Sequence, residues 1–143
     1  MKSEYRSILC PVDLSPASRT AARTAAVMAD RFEARLTVVF VDDPLLSQAA
    51  QRFDEAELAR RTEAELTRFV QKAIGQRPDC GYEVVNGDPA TEILKAARRL
   101  KADLIVMGTQ GHRGPKRLFF GSTAATIVKR TTIPVLVVPP NRS

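Results

Sequence analysis

RSILCPVDLSP, Arg6 to Pro16, decides the fold. A polar start gives way to a short apolar run closed by Asp13, so Arg6–Val12 reads as a short buried strand. Ser15-Pro16 follows at once. Serine is a favoured N-cap because its oxygen accepts from an orphan backbone N–H, and proline suits the first helical position, where its missing N–H costs nothing. Ala17 to about Phe32 then sets Ala22, Ala25, Ala26, Ala29 and Phe32 at helical spacing. Leu36–Val41 (LTVVFV) is apolar on both faces and β-branched. Such a strand belongs in a parallel sheet covered by helices on both sides.

The alternation continues downstream. Asp42-Asp43-Pro44 ends the second strand, and a long helix is expected from about Ser47 to Ile74. Its apolar residues are Phe53, Leu58, Leu66, Phe69, Ala73 and Ile74. Glu57 and Arg61 form a favourable pair one turn apart, and Gly75 is the C-cap. Gly81–Asn86 is a more polar third strand, as expected at a sheet edge. Gly87-Asp88-Pro89 repeats the cap-then-proline signal before a helix reaching Leu100, with Ile93, Leu94, Ala97 and Leu100 inward. Leu104–Met107 is the fourth strand. A glycine-rich loop, a helix from about Ser122 to Arg130 and a fifth strand, Ile133–Val138, complete the chain. With four helices between five strands, right-handed crossovers leave one α/β domain over residues 1–143, a three-layer α/β/α sandwich.

Composition narrows the function. The 143 residues are 44% hydrophobic and 27% charged, which argues for a globular core and against disorder. No apolar run is long enough to span a bilayer. The opening MKSEYRSILCPVDL does not read as a signal peptide, and two cysteines do not make a disulfide scaffold. A reduced, cytoplasmic protein is expected. Cys10, inside a strand, reads as a buried inert thiol, and Cys80 as more exposed.

The net charge is +6, from 22 basic and 16 acidic side chains. Residues 1–103 are balanced. The surplus is Arg113, Lys116, Arg117, Lys129, Arg130 and Arg142, with no acid after residue 103. A local surplus suits a small anion better than a duplex, which calls for a broad basic face. Aromatic content of 6% without tryptophan also speaks against nucleic-acid binding.

In a doubly wound sheet, ligands bind beyond the carboxyl ends of the strands, where the winding reverses. The first strand ends in Pro11-Val12-Asp13, the second in Val39-Phe40-Val41 and the fourth in Met107-Gly108. After the fourth runs GTQGHRGPKRLFFGS, Gly108–Ser122. Glycines admit close approach of a phosphate. Gly121-Ser122 reads as the opening of a helix whose N–H groups favour an anion, with Arg113, Lys116 and Arg117 adding charge. The competing reading is a surface loop with glycine caps. The glycine spacing fits neither the dinucleotide fingerprint nor a P-loop, and there is no nucleophile elbow.

Asp13 reads as a metal ligand, a catalytic acid, a ribose acceptor or a helix-capping carboxylate near Ser15. Asp42-Asp43 reads as a solvated turn rather than a Mg²⁺ site. His112, with no carboxylate visibly paired to it, reads as a phosphate donor or surface residue rather than a general base.

Gly108-x2-Gly111-x9-Gly121-Ser122 resembles the nucleotide-binding motif of the ATP-binding branch of the universal stress proteins. Ile8–Ser18 (ILCPVDLSPAS), Val38–Pro44, Asn86–Leu94, Ala102–Gly111 and Ile133–Pro140 extend the likeness along nearly the whole chain. The resemblance implies a five-stranded parallel sheet of order 3-2-1-4-5, Rossmann-like and adenine nucleotide alpha hydrolase-like. It also implies roles for individual residues. Pro11, Val12 and Asp13 would line the adenine and ribose end. Val41 would meet the adenine edge through its backbone, with Val39 packing nearby. Met107 and Gly108 would form the floor and ribose contact. Gly111, His112, Gly121, Ser122 and Thr123 would hold the phosphates, with Ala124 adjoining and Arg113 assisting. The chain departs from the pattern at Gln110, where many members have His or Arg. It departs again at Thr123-Ala124, which reverses the usual order of an aliphatic and a hydroxyl residue.

The expectation is therefore an ATP-binding regulatory protein of the stress response, with or without Mg²⁺, and no catalytic residue. The alternatives are a nucleotide-free dimeric adapter and a slow ATPase. The apolar last strand, Pro134–Val138, would lie at a sheet edge, which is a liability unless covered. By the resemblance it would pair antiparallel with a second copy in a homodimer. Regulatory protein partners are expected, but no nucleic acid and no membrane.

Overall fold

The computed structural model describes residues 4–42, 55–109 and 117–139, with 55 and 117–121 described by backbone alone. The elements alternate as expected: β1 (Ser7–Val12), α1 (Pro16–Phe32), β2 (Arg35–Asp42), α2 (Glu55–Ile74), β3 (Cys80–Asn86), α3 (Pro89–Arg99), β4 (Leu104–Gly108), α4 (Arg117–Arg130) and β5 (Val135–Val138). All pairings are parallel, and the sheet order is β3-β2-β1-β4-β5.

Caps set the helix starts. Ser15 Oγ accepts from Ser18 N at the head of α1, and Asp88 Oδ2 accepts from Thr91 N at the head of α3, each with proline just inside. Gly75, at φ +70°, closes α2, and Glu57 and Arg61 pair at 3.6 Å. At the ends of α1 and α3 the left-handed residue is not glycine: Glu33 has φ +54° and Lys101 φ +52°.

The pleat divides the core in two. Ile8, Cys10, Val12, Leu36 and Val38 pack against the alanine face of α1 and against Leu66, Phe69 and Val70 of α2. Leu9, Val39, Val41, Ile105 and Met107 pack against Ile93 and Ala97 of α3 and Ala124 and Ile127 of α4. The fold is thus the expected three-layer sandwich.

Most described boundaries fall within one residue of the sequence reading, and the starts of α4 and β5 differ by more. α4 begins at Arg117, so Gly121-Ser122 lies in its second turn rather than opening it. Arg117–Phe120 are all helix-compatible, and a lone glycine weakens a helix by about 1 kcal/mol without stopping it. β5 begins at Val135, because Pro134 gives the sheet only its carbonyl, which accepts from Ile105 N. The expected first turns of α2, with Phe53, and Asp43 in the preceding turn lie outside the described residues.

Candidate functional site at the parting of β1 and β4

The chain winds from β1 outward to β3 and returns across it to β4 and β5, so the winding reverses between β1 and β4. Their ladder holds Ile8↔Leu104 and Leu9↔Ile105 and then stops. β1 nonetheless stays paired to β2 as far as Val12↔Phe40, and β4 to β5 as far as Gly108↔Val138. Cys10–Val12 and Val106–Gly108 therefore run on side by side without pairing. Pro11 stands at the divergence and brings no N–H to a ladder. In a doubly wound sheet this parting, at the carboxyl ends of the strands, is the place of the ligand crevice.

Alternation decides which side chains face it. Val39, Val41 and Met107 are buried on the α3/α4 side, in one cluster with Ala124 of α4. Pro11, between Cys10 and Val12 in β1, points to that same side. Val12 packs in the opposite layer with the α1 alanines, so it offers the crevice only backbone. Gly108 is buried at the end of β4, and the next residue anchors the strand end through Thr109 N–H to Val138 O, 3.3 Å.

Asp13 is 4% exposed and is built into the β1–α1 joint. Its Oδ1 accepts from Ser15 N at 3.0 Å and from Ser18 Oγ at 2.6 Å, while Asp13 N donates to Ser18 Oγ at 2.9 Å. Leu14, between these contacts, is held at φ +68°. The helix-capping role is thus present in the geometry. Ser18, fully buried, is the residue that sequence reading missed here. The available signal was Asp-x-Ser-Pro-x-Ser, in which an N-cap and a second hydroxyl three residues on flank the carboxylate.

On α4, Thr123 and Ala124 face inward at 6% and 8% exposure, whereas Ser122 is exposed. Ser122 O accepts from Thr126 Oγ1 at 3.0 Å. Gly111, His112 and Arg113, with Gln110 and Lys116, lie outside the described residues; Gly121 is described by backbone alone. Among the described residues no cluster of His, Cys, Asp and Glu could hold a metal ion, and no helix is long and apolar enough to cross a membrane.

The thiols stand apart from the crevice. Burial pushes Cys10 far above the usual thiol range, and partial burial raises Cys80, with Arg77 pulling the other way. Elsewhere on the surface, the hydrogen bond from Arg77 holds the Asp30 carboxyl below its ordinary value.

The model of the universal stress protein family matches residues 4–139. The chain belongs to the universal stress protein family. It is 38% identical to a universal stress protein of Thermus aquaticus, over 94% of this chain and 98% of that one. The structure of universal stress protein UspA from Lactobacillus plantarum has a TM-score of 0.72 and 32% identity, covering 95% of this chain and 99% of that chain. A universal stress protein solved in complex with cAMP has a TM-score of 0.76 over 97% of this chain and all of that one. At 23% identity that last likeness shows the fold alone. As a universal stress protein, this chain has the sheet order read from the resemblance, with the reversal of winding between β1 and β4, whose carboxyl ends carry Val12 and Gly108.

Proposed function

We propose that the chain binds an adenine nucleotide, ATP in the first instance, in the β1/β4 crevice, and that it acts as a non-catalytic regulator in the stress response. The observation that carries this is the parting of β1 and β4 beside an apolar wall of Pro11, Val39, Val41 and Met107. A flat heterocycle fits such a wall. Backbone groups at Val12, Asp13 and Val41 would read its edges, and Gly108 leaves room for the ribose. The segment from Gly111 to Ser122, with His112, Arg113 and Thr123, would meet the phosphates. ATP supplies negative charge and a large bound surface, whose presence would alter the loops around the crevice.

The same fold holding cAMP in one relative supports a nucleotide at the level of fold. The absence of catalysis is inferred from the chemistry of the crevice residues. Among the described residues Asp13 lies nearest the crevice at the end of β1, its Oδ1 is engaged by Ser15 and Ser18, and hydrolysis calls for a positioned base. β5, at a sheet edge with Val137 36% exposed, is proposed to pair with its copy in a homodimer. Partners would then read the nucleotide state in the cytoplasm.

Nucleotide released on denaturing the purified protein should include ATP or another adenine nucleotide. Calorimetry with ATP should give saturable heat that Gly108→Val abolishes. An empty protein with no heat at millimolar ATP overturns the reading.

A further inference from the structure

At the amino end of the sheet, opposite the crevice, α3 and α4 finish side by side and leave a groove of about 340 Å³. Leu94 and Ile133, both half-buried, form its apolar floor, and Lys95, Arg98, Lys101 and Arg130 surround it. The acids nearby are already engaged, one of them by the groove's own Lys95. Glu92 pairs with Lys95 at 3.5 Å, Glu83 pairs with Arg99, and Asp103 accepts the backbone N–H groups of Arg6 and Ser7. Among the described residues no carboxylate lies within ion-pair distance of Arg98, Lys101 or Arg130.

Helix dipoles favour cations at C-terminal turns. The last turns of all four helices follow this, with Arg31 in α1, Lys72 in α2, Arg98 and Arg99 in α3, and Lys129 and Arg130 in α4; the residues just beyond them differ. Lys101 holds the left-handed position after α3, where glycine is usual. At the matching position after α1 stands Glu33, an acid set against its helix dipole. The two ends thus differ in what surrounds the last turns. The α1 side groups Asp30, Glu33 and Asp79 around Arg77, and the α3/α4 side gathers cations around an apolar floor.

We propose that the α3/α4 groove docks an acidic segment of another protein. Carboxylates of the segment meet Arg98, Lys101 and Arg130, and one aliphatic side chain lies against Leu94 and Ile133. Guanidinium forks match carboxylates bidentately, and the apolar floor selects a peptide over a bare polyanion. The inference is independent of the nucleotide reading, since the groove and the crevice lie at opposite ends of the strands.

The test uses the full chain and a fluorescent glutamate-rich peptide with one central leucine, followed by anisotropy. The expected result is saturable binding that weakens about tenfold or more in Arg98→Gln/Lys101→Gln/Arg130→Gln, three exposed contacts being removed. Replacing the peptide leucine by glycine should weaken binding several-fold. The triple variant should keep the parent's melting temperature and its response to ATP. Unchanged peptide affinity in the triple variant overturns the proposal. So does equal competition by inorganic polyphosphate and peptide, which would mark a plain anion site. Self-association by sedimentation that the triple variant abolishes would also overturn it, because the occupant would then be a second copy.

Discussion

Ser18→Ala should cost far more than a surface serine would. Ser18 is fully buried, and its hydroxyl both donates to Asp13 Oδ1 at 2.6 Å and accepts from Asp13 N–H at 2.9 Å. Alanine removes a hydrogen bond to a carboxylate and leaves a buried backbone N–H without its acceptor. Each loss is worth about 1–3 kcal/mol. The two share one partner and do not add fully, so the expected cost is about 2–4 kcal/mol. For a domain of this size that lowers Tm by about 10 °C. Urea unfolding at neutral pH reads the change as a lower midpoint with the slope m preserved. Asp13→Asn in the Ser18→Ala background should then add much less than it does in the parent. A Ser18→Ala protein within about 0.5 kcal/mol of the parent would refute the argument that this hydroxyl holds the β1–α1 joint.

Other perturbations have equally definite expectations. Gly87 sits at φ +142°, and an added Cβ would stand 2.8 Å from Glu92 Cγ, so Gly87→Ala should destabilise by about 1–3 kcal/mol in the same assay. Alkylation followed by mass spectrometry should modify Cys80 slowly in the folded protein and Cys10 only after unfolding; prompt labelling of Cys10 would contradict its burial. Arg77→Met should raise the Asp30 carboxyl pKa toward its ordinary value in an NMR titration. Because the parent's folded pKa is depressed, the pair's contribution is present above the unfolded pKa and disappears as pH falls through the folded one. An unmoved Asp30 would show that the pair does not persist in solution. Val137→Asp, which charges the exposed edge of β5, should convert the proposed dimer to monomer in sedimentation; an unchanged mass would remove β5 as the contact.

The architecture was legible because its signals are local. Ser15-Pro16 and Asp88-Pro89 mark helix starts through orphan N–H groups, and Leu36–Val41 marks a doubly covered strand by the absence of a polar face. The order of strands is not local information, and only the resemblance supplied it. The start of α4 was misread because Gly121-Ser122 has the chemistry of a cap, whereas Arg117–Phe120 carry no breaker and continue the helix upstream. At the crevice, Pro11, Val39, Val41 and Met107 could be assigned from strand ends and pleat. Val12 could have been set on the other face by the same alternation. The Ser18–Asp13 contact spans a strand–helix joint, where no periodicity holds, and its one local sign is the Asp-x-Ser-Pro-x-Ser spacing. Of the residues expected to meet phosphates, Ser122, Thr123 and Ala124 are placed in α4, while Gly111, His112 and Arg113 lie outside the described residues.

The central position of β1 has a consequence for synthesis on the ribosome. β1, β2 and β3 are consecutive in the chain and can form a half-sheet as soon as Asn86 has emerged. β1 is then an edge strand, and it remains one until Leu104–Gly108 follows, roughly one to four seconds later at ordinary elongation rates. An apolar parallel strand exposed for that time is a template for pairing with a neighbouring nascent chain. Pro11 blunts that template, since it removes an N–H from the half of β1 that β4 never pairs. The residue that opens the crevice in the finished protein thus also guards an unfinished edge during translation.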